Sequence, residues 1–302
     1  MQSYQSKIVE LVLKGIHFNR NWKLTGIKLK KQVAKKQHKE KSAPPKKIHQ
    51  QVMVERNELD SCVYYVLTSR EKSSQKEIIY FHGGGYIHSI TSLHWEFLAS
   101  LVVRLQCRII VPMYPLAPKY TYQAVYDFVL PLYQQVIQRV RPENCFLMGD
   151  SAGGGISLGL AQLLKERQLP QPKGIVLLSP ALDMSLSNEE IDQVAIHDPI
   201  LATPAVKEIA EWYSGDRGVK DPLISPIYGD FHGLAPISLF TGTYDITNPD
   251  AKRLQHQLAK EGIPLEYHEY EKMLHDWVLF PFPESKKALV EICQFIQSEE
   301  VR

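Results

Sequence analysis

Short apolar runs alternate with longer segments of helical period through most of the chain. Residues 52–54 and 62–67 have the β-branched and aromatic content of strands, with a turn expected over 57–60. Residues 78–81 are an apolar run that ends in a glycine loop. A helical pattern follows over 93–106, then a strand at 108–112 and a helix at 122–139. A strand at 146–148 runs straight into Gly149-Asp150-Ser151-Ala152-Gly153 and a helix reaching about Arg167. Strands at 174–179, 237–241 and 265–270 continue the series, with helices at 248–261 and 284–298. This alternation predicts an α/β fold, a largely parallel sheet covered by helices on both faces.

The rhythm breaks in two places. Between 182 and 235 no strand pattern is found, and Pro199, Pro204, Pro222 and Pro226 interrupt a mixture of apolar residues. Such an insertion in a compact α/β unit is expected to be a lid or substrate-binding cap. Ahead of the first strand, Ile8, Val9, Val12, Leu13 and Ile16 share one helical face. That face calls for an apolar partner, and the insertion is the candidate. The expected organisation is therefore an N-terminal helical, basic segment contributing to the cap (1–50), a main α/β unit (51–184 and 235–302) and a cap insertion (185–234).

Charge sharpens the division. Residues 1–50 hold thirteen Lys/Arg against Glu10 and Glu40, a net +11, which leaves 22 basic and 31 acidic residues and a net −9 over 51–302. The excess is densest from Lys28 to Lys47, ahead of and around Ala43-Pro44-Pro45. It reads as a solvated helix face running into a linker, or as a contact for an anionic membrane surface or the acidic body itself. No aromatics interleave with the lysines, so nucleic acid is not expected. With 302 residues, 44% hydrophobic and 23% charged, the composition is that of a globular protein and excludes disordered, collagenous and disulfide-scaffold classes. No apolar run has bilayer length, and Lys7, Glu10, Lys14 and Arg20 break up any secretory core at the start. Cys62, Cys107, Cys145 and Cys293 form no CxxC pair, so neither disulfide nor zinc framework is expected, and a cytoplasmic location is the default.

Gly149-Asp150-Ser151-Ala152-Gly153 fits G-x-S-x-G between a strand and a helix, the context in which a tight turn lifts a serine hydroxyl above a sheet edge. The helix N-terminus beneath it favours a developing oxyanion. His82-Gly83-Gly84-Gly85 follows the strand at 78–81, and its backbone N–H groups can turn toward a substrate oxygen. Gly84, Gly85 and Ala152 are the expected donors, and His82 is read as a loop-bonding residue. A nucleophilic serine needs a histidine base and an orienting carboxylate. Downstream, His197 and His232 fall in the irregular insertion, His256 in a helix and His268 inside a strand, whereas His275 lies just past the C-terminal end of the strand at 265–270. Asp245 lies just beyond the strand at 237–241, at the same sheet edge. Asp250 sits in a first helical turn, where a carboxylate often only caps, Asp150 points away from its neighbour on the turn, and Asp183 and Asp230 lie in or beside the insertion. Ser151, Asp245 and His275 are thus the expected catalytic residues. Tyr86, Trp212, Tyr213, Trp277 and Phe280 are the aromatics expected to line a substrate pocket, or else to pack cap and core.

Together these motifs resemble the hormone-sensitive-lipase-like family of α/β-hydrolases over roughly 75–290, with Ser179-Pro180-Ala181-Leu182-Asp183 and Asp221-Pro222-Leu223-Ile224-Ser225-Pro226 adding to the match. Tyr114-Pro115-Leu116-Ala117-Pro118-Lys119 is similar to the family's Y-R-L-A-P-E, with Pro115 and Lys119 replacing its ion pair. Thr243 stands where the family often has Glu, and Asp276 where it commonly has Gly. The resemblance implies an α/β-hydrolase fold with a helical cap and hydrolysis of carboxylic esters without metal or cofactor. A small-molecule ester of short to medium acyl chain is the expected substrate, and a homodimer through the last strand and helix is implied. The alternatives are an interfacial lipase, an amidase or peptidase on the same residues, and a non-catalytic small-molecule receptor, against which His275 argues.

Overall fold

The computed structural model describes residues 2–71 and 74–298. Among them, eight strands form one sheet: β1 (Met53–Leu59), β2 (Cys62–Thr68), β3 (Glu77–Phe81), β4 (Arg108–Pro112), β5 (Cys145–Asp150), β6 (Gly174–Leu178), β7 (Ile237–Tyr244) and β8 (Leu265–Leu274). Their order is β1-β2-β4-β3-β5-β6-β7-β8. The β1–β2 and β2–β4 pairings are antiparallel, and every other pairing is parallel. The helices are α1 (Tyr4–Gly15), α2 (Gly26–Gln37), α3 (Ile48–Gln51), α4 (Ser92–Leu105), α5 (Tyr122–Arg139), α6 (Ala152–Glu166), α7 (Ile191–Ala195), α8 (Thr203–Ser214), α9 (Asn248–Glu261) and α10 (Pro283–Gln297).

The central strands are apolar at almost every position because both faces are covered. Ile79, Phe81, Leu147, Ile175 and Leu177 enter the core that holds α5, α6, α8 and α9. Their neighbours Ile78, Tyr80, Phe146, Met148, Val176 and Leu178 enter the core beneath α4 and α10. This is the α/β-hydrolase arrangement, with the C-terminal ends of β3, β5, β7 and β8 meeting along one edge.

Three expectations change. The turn expected over 57–60 is strand as far as Leu59, and only Asp60 and Ser61, with φ of 48° and 65°, make the hairpin. Glu55, Arg56 and Glu58 mask β1 in the sequence because an edge strand faces solvent. Strands β7 and β8 run on to Tyr244 and Leu274, past a register irregularity at Gly242/Tyr244. Charged positions on β8, the second edge strand, hid its extension, and Gly242 interrupts the pattern of β7.

The third change is the orientation of α1. Ser3 caps it, accepting the N–H of Ser6. The helix buries Ser6, Glu10 and Leu13, so of the expected docking side Leu13 is covered while Ile8, Val12 and Ile16 stay exposed, with Leu11 beside them. Polar bonds set this arrangement: the Ser3 backbone N–H and the Ser3 and Ser6 hydroxyls donate to the Glu284 carboxylate at the start of α10. Within the stretch 185–234 lie α7, α8 and a 3-10 turn at Pro226–Tyr228, with no strand. Among the described residues no helix is long and apolar enough to cross a membrane.

Candidate active site

β5 ends at Asp150 and α6 begins at Ala152, so Ser151 alone makes the turn, at φ 48° and ψ −119°. A non-glycine residue at such angles is strained and persists only where its surroundings hold it. Here the Ser151 N–H donates to Leu178 O at 2.8 Å, and its carbonyl accepts the Ala181 N–H at 2.9 Å. The turn also needs close approach: a Cβ on Gly153 would lie 1.9 Å from the Phe81 carbonyl oxygen.

His275 directly follows β8, and Asp245 directly follows β7. His275 Nδ1 lies 2.9 Å from Asp245 Oδ1, and His275 Nε2 lies 2.9 Å from Ser151 Oγ. With the proton on Nδ1, the imidazole donates to the carboxylate and accepts the serine O–H. Asp245 Oδ1 also accepts the Thr247 N–H at 2.9 Å, fixing the carboxylate plane. All three side chains are buried. Burial pushes the His275 imidazole down, but the carboxylates of Asp245 and Asp276 outweigh it and hold the ring above the usual histidine range.

After β3 the chain turns through Gly84 at φ 115° and Gly85 at φ 60°, conformations natural to glycine. Among the described residues, no acceptor is bonded to the N–H groups of Gly84, Gly85 or Ala152. His82 Nδ1 lies 2.7 Å from Gly83 O, its ring stacks on Tyr114, and its carbonyl accepts the Tyr114 hydroxyl, so it braces the loop. Asp150 turns away from the site, accepting the Tyr80 hydroxyl and facing His94 Nε2 at 3.0 Å.

A narrow cavity of about 50 Å³ opens at Ser151, between Gly85 and Tyr86 of the loop after β3 and the apolar side chains of Leu201, Val206 and Ile209 from the insertion. Of the aromatics named from the sequence, Tyr86 lines it. Tyr213 lies behind, buried and stacked on Tyr86 with ring centroids 3.8 Å apart. Trp212 is half-buried under Lys30 and does not line the cavity. Trp277 is corrected outright. Asp276 takes a left-handed conformation at φ 53°, which swings Trp277 into the core beneath α4 and α10, fully buried against Tyr270. Phe280 packs against that same core.

Sequence reasoning missed three residues. Trp22 walls the cavity and sits against Gly85, where a Cβ would meet its ring at 2.6 Å. No local signal marks it, since it lies in a short 3-10 helix of the basic segment. Asp198, in the insertion, is buried and accepts the N–H of Ile246 at 3.0 Å, tying the insertion to the Asp245 loop. Burial and the nearby Asp245 raise its carboxyl to about 6. Asp276 Oδ2 lies 3.3 Å from His275 Nε2, so a second carboxyl reaches the imidazole from the Ser151 side. Its departure from the family's glycine was the available signal. Asp250, read as a cap, in fact borders the cavity, accepts from Asn188 at 3.1 Å, and is raised to about 7 by burial.

A sheet of this order with a strained serine after β5, bonded to a histidine after β8 that is itself bonded to an acid after β7, defines an esterase/lipase-type α/β hydrolase. The comparisons agree. A family model described as alpha/beta hydrolase fold matches residues 78–279. An esterase of Acinetobacter venetianus is 30% identical over 232 residues, covering 76% of this chain and 77% of that one. An acetyl-hydrolase of Streptomyces hygroscopicus is 25% identical over 74% of this chain and 76% of its own length. The crystal structure of a hormone-sensitive lipase from a metagenome library superposes with a TM-score of 0.85 at 25% identity, covering 96% of this chain and 97% of that one. The chain belongs to the α/β-hydrolase family, in its hormone-sensitive-lipase-like branch.

Proposed function

We propose that this hydrolase cleaves carboxylic esters of short acyl chain through Ser151, His275 and Asp245. The observation that carries the reading is the unbroken hydrogen-bonded chain from Asp245 through His275 to Ser151, two contacts of 2.9 Å, ending beside unpaired N–H groups. The Ser151 oxygen attacks the ester carbonyl as its proton passes to His275 Nε2. Asp245 holds the ring with Nδ1 protonated and stabilises the imidazolium. The carbonyl oxygen becomes an oxyanion between the N–H groups of Gly84, Gly85 and Ala152, where one such donor is worth ~2.7–4 kcal/mol. His275 then protonates the departing alcohol, leaving an acyl-serine, and water activated by His275 releases the acid. No step calls on a metal or cofactor.

The acyl preference rests on the cavity. Its narrow room beside Ser151, closed in by the apolar Leu201, Val206 and Ile209, favours a small acyl group over a long one. Segments 1–50 and 185–234 together are proposed as the cap, since Trp22 from one and Leu201, Val206 and Ile209 from the other bound this cavity. The test is hydrolysis of nitrophenyl esters from acetyl to palmitoyl, with Ser151→Ala as control. Turnover peaking at or below butyryl and lost in the variant supports the reading. Turnover peaking at long chains overturns the short-chain assignment, and equal activity in the variant overturns the nucleophile.

A further inference from the structure

Helix α1 is amphipathic with its apolar side turned out. Tyr4, Ile8, Leu11 and Val12 fall within about 100° of the helix circumference at 100° per residue. Their exposures are 78%, 43%, 59% and 54%. Ile16, Phe18 and Ile27 extend the exposed apolar surface beyond the helix. Seven of the twelve large apolar side chains exposed among the described residues thus lie between positions 4 and 27. The opposite, polar side of α1 is committed: Ser3 and Ser6 bond Glu284, and Glu10 accepts from Gln2 at 2.8 Å and from Lys14 at 2.6 Å. The helix therefore cannot roll its apolar stripe inward without breaking these bonds.

Charge selects the occupant. Both acids of the first fifty residues are engaged within the protein. Glu10 is paired as above, and Glu40 accepts the Ser89 N–H at 2.9 Å and faces His88 Nδ1 at 3.1 Å. What this region presents outward is positive: Lys7, Arg20, Lys28, Lys31 and Lys35 are all exposed. A second copy docking through the same face would bring two +11 segments together. An apolar stripe carried by a cationic segment is what an anionic lipid surface receives, the stripe entering the acyl boundary and the cations remaining among the headgroups.

We propose that α1 and the residues up to Ile27 form a docking surface for an anionic bilayer, with the Tyr4-Ile8-Leu11-Val12 stripe inserted and α2 lysines at the headgroups. This goes beyond the ester chemistry and stands without it.

The test is co-sedimentation of the full chain with phosphatidylcholine vesicles containing about one third phosphatidylglycerol, against pure phosphatidylcholine vesicles. Expected is binding to the anionic vesicles that weakens as salt rises. Ile8→Ser/Leu11→Ser/Val12→Ser should weaken it by about tenfold or more. Lys28→Glu/Lys31→Glu/Lys35→Glu should remove the preference for anionic vesicles. Met53→Ser/Val103→Ser, at exposed apolar positions elsewhere, should change neither. Each variant should keep the wild-type thermal unfolding transition, which separates lost docking from lost folding. Absence of wild-type binding overturns the proposal, as does equal binding by the α1 variant. So does a wild-type dimer in sedimentation velocity that the α1 variant converts to monomer, since the stripe then joins two copies.

Discussion

Helices α1 and α6 show how differently two helices can be placed in one protein. Every residue of α6 from Ala152 to Leu164 is buried, whereas α1 buries only Ser6, Glu10 and Leu13. α6 has no freedom of placement, because one residue joins it to the central strand β5 and the Gly153 backbone lies against the Phe81 carbonyl. α1 is joined to the sheet by a long connection and held by polar bonds to Glu284. Short, strained connections to a buried strand force burial, while a helix held through its polar side leaves its apolar side available.

The largest effect separating the two regions is chemical. Ser151→Ala should lower kcat by about 10⁴-fold or more, with thermal unfolding unchanged, because triad members act as a unit. A variant retaining most of the activity would remove Ser151 from the chemistry. Next is Gly153→Val. The side chain has no space against the Phe81 carbonyl, and a loss of ~3 kcal/mol or more is expected in chemical denaturation. A small loss would mean that the strand-to-helix turn can open and that α6 is not pinned by its junction with β5.

Asp276→Asn should leave stability nearly unchanged but alter the pH profile. His275 must be neutral to accept the serine proton, and Asp276, although burial pushes its own carboxyl well up, raises the His275 pKa when ionised. Removing that charge lowers the pKa, so the acidic limb of kcat/KM should move to lower pH while the plateau persists. An unmoved limb would show that Asp276 carries no charge in the working enzyme. The smallest effect belongs to α1. Gly15 has open space where a Cβ would go, so Gly15→Ala should stabilise by only ~0.5–1 kcal/mol through helix propensity. Destabilisation there would mean that α1 packs more tightly than its exposure indicates.

Much of the fold was readable because the central strands and their helices repeat a strong local pattern. Strand β4 and helices α5 and α9 fall at the positions the periodicity predicts. The residues that meet at the sheet edge were readable for a related reason. A serine between strand and helix, and polar residues just past strand ends, have little choice about where they emerge. The two edge strands were less legible, since β1 and the end of β8 alternate charge toward solvent. The pocket aromatics were the least legible. Trp277 follows the sheet edge as a pocket residue would, and only the left-handed Asp276 turns it the other way.

By itself the sequence determined the class of fold, the motif turns and the asymmetry of charge between the first fifty residues and the rest. Each depends on spacing or on totals, which are local or additive. The tertiary structure alone decided which side of α1 is buried, that Trp22 walls the cavity, that Asp198 braces the Asp245 loop, and that Asp276 reaches His275. In the first three cases the reason is distance along the chain. The contacts of Ser3 with Glu284, of Trp22 with Gly85 and of Asp198 with Ile246 join residues far apart in sequence. A periodic pattern identifies an apolar stripe but cannot say what will cover it. In the fourth, neighbours in sequence meet through a backbone conformation that residue type alone does not dictate.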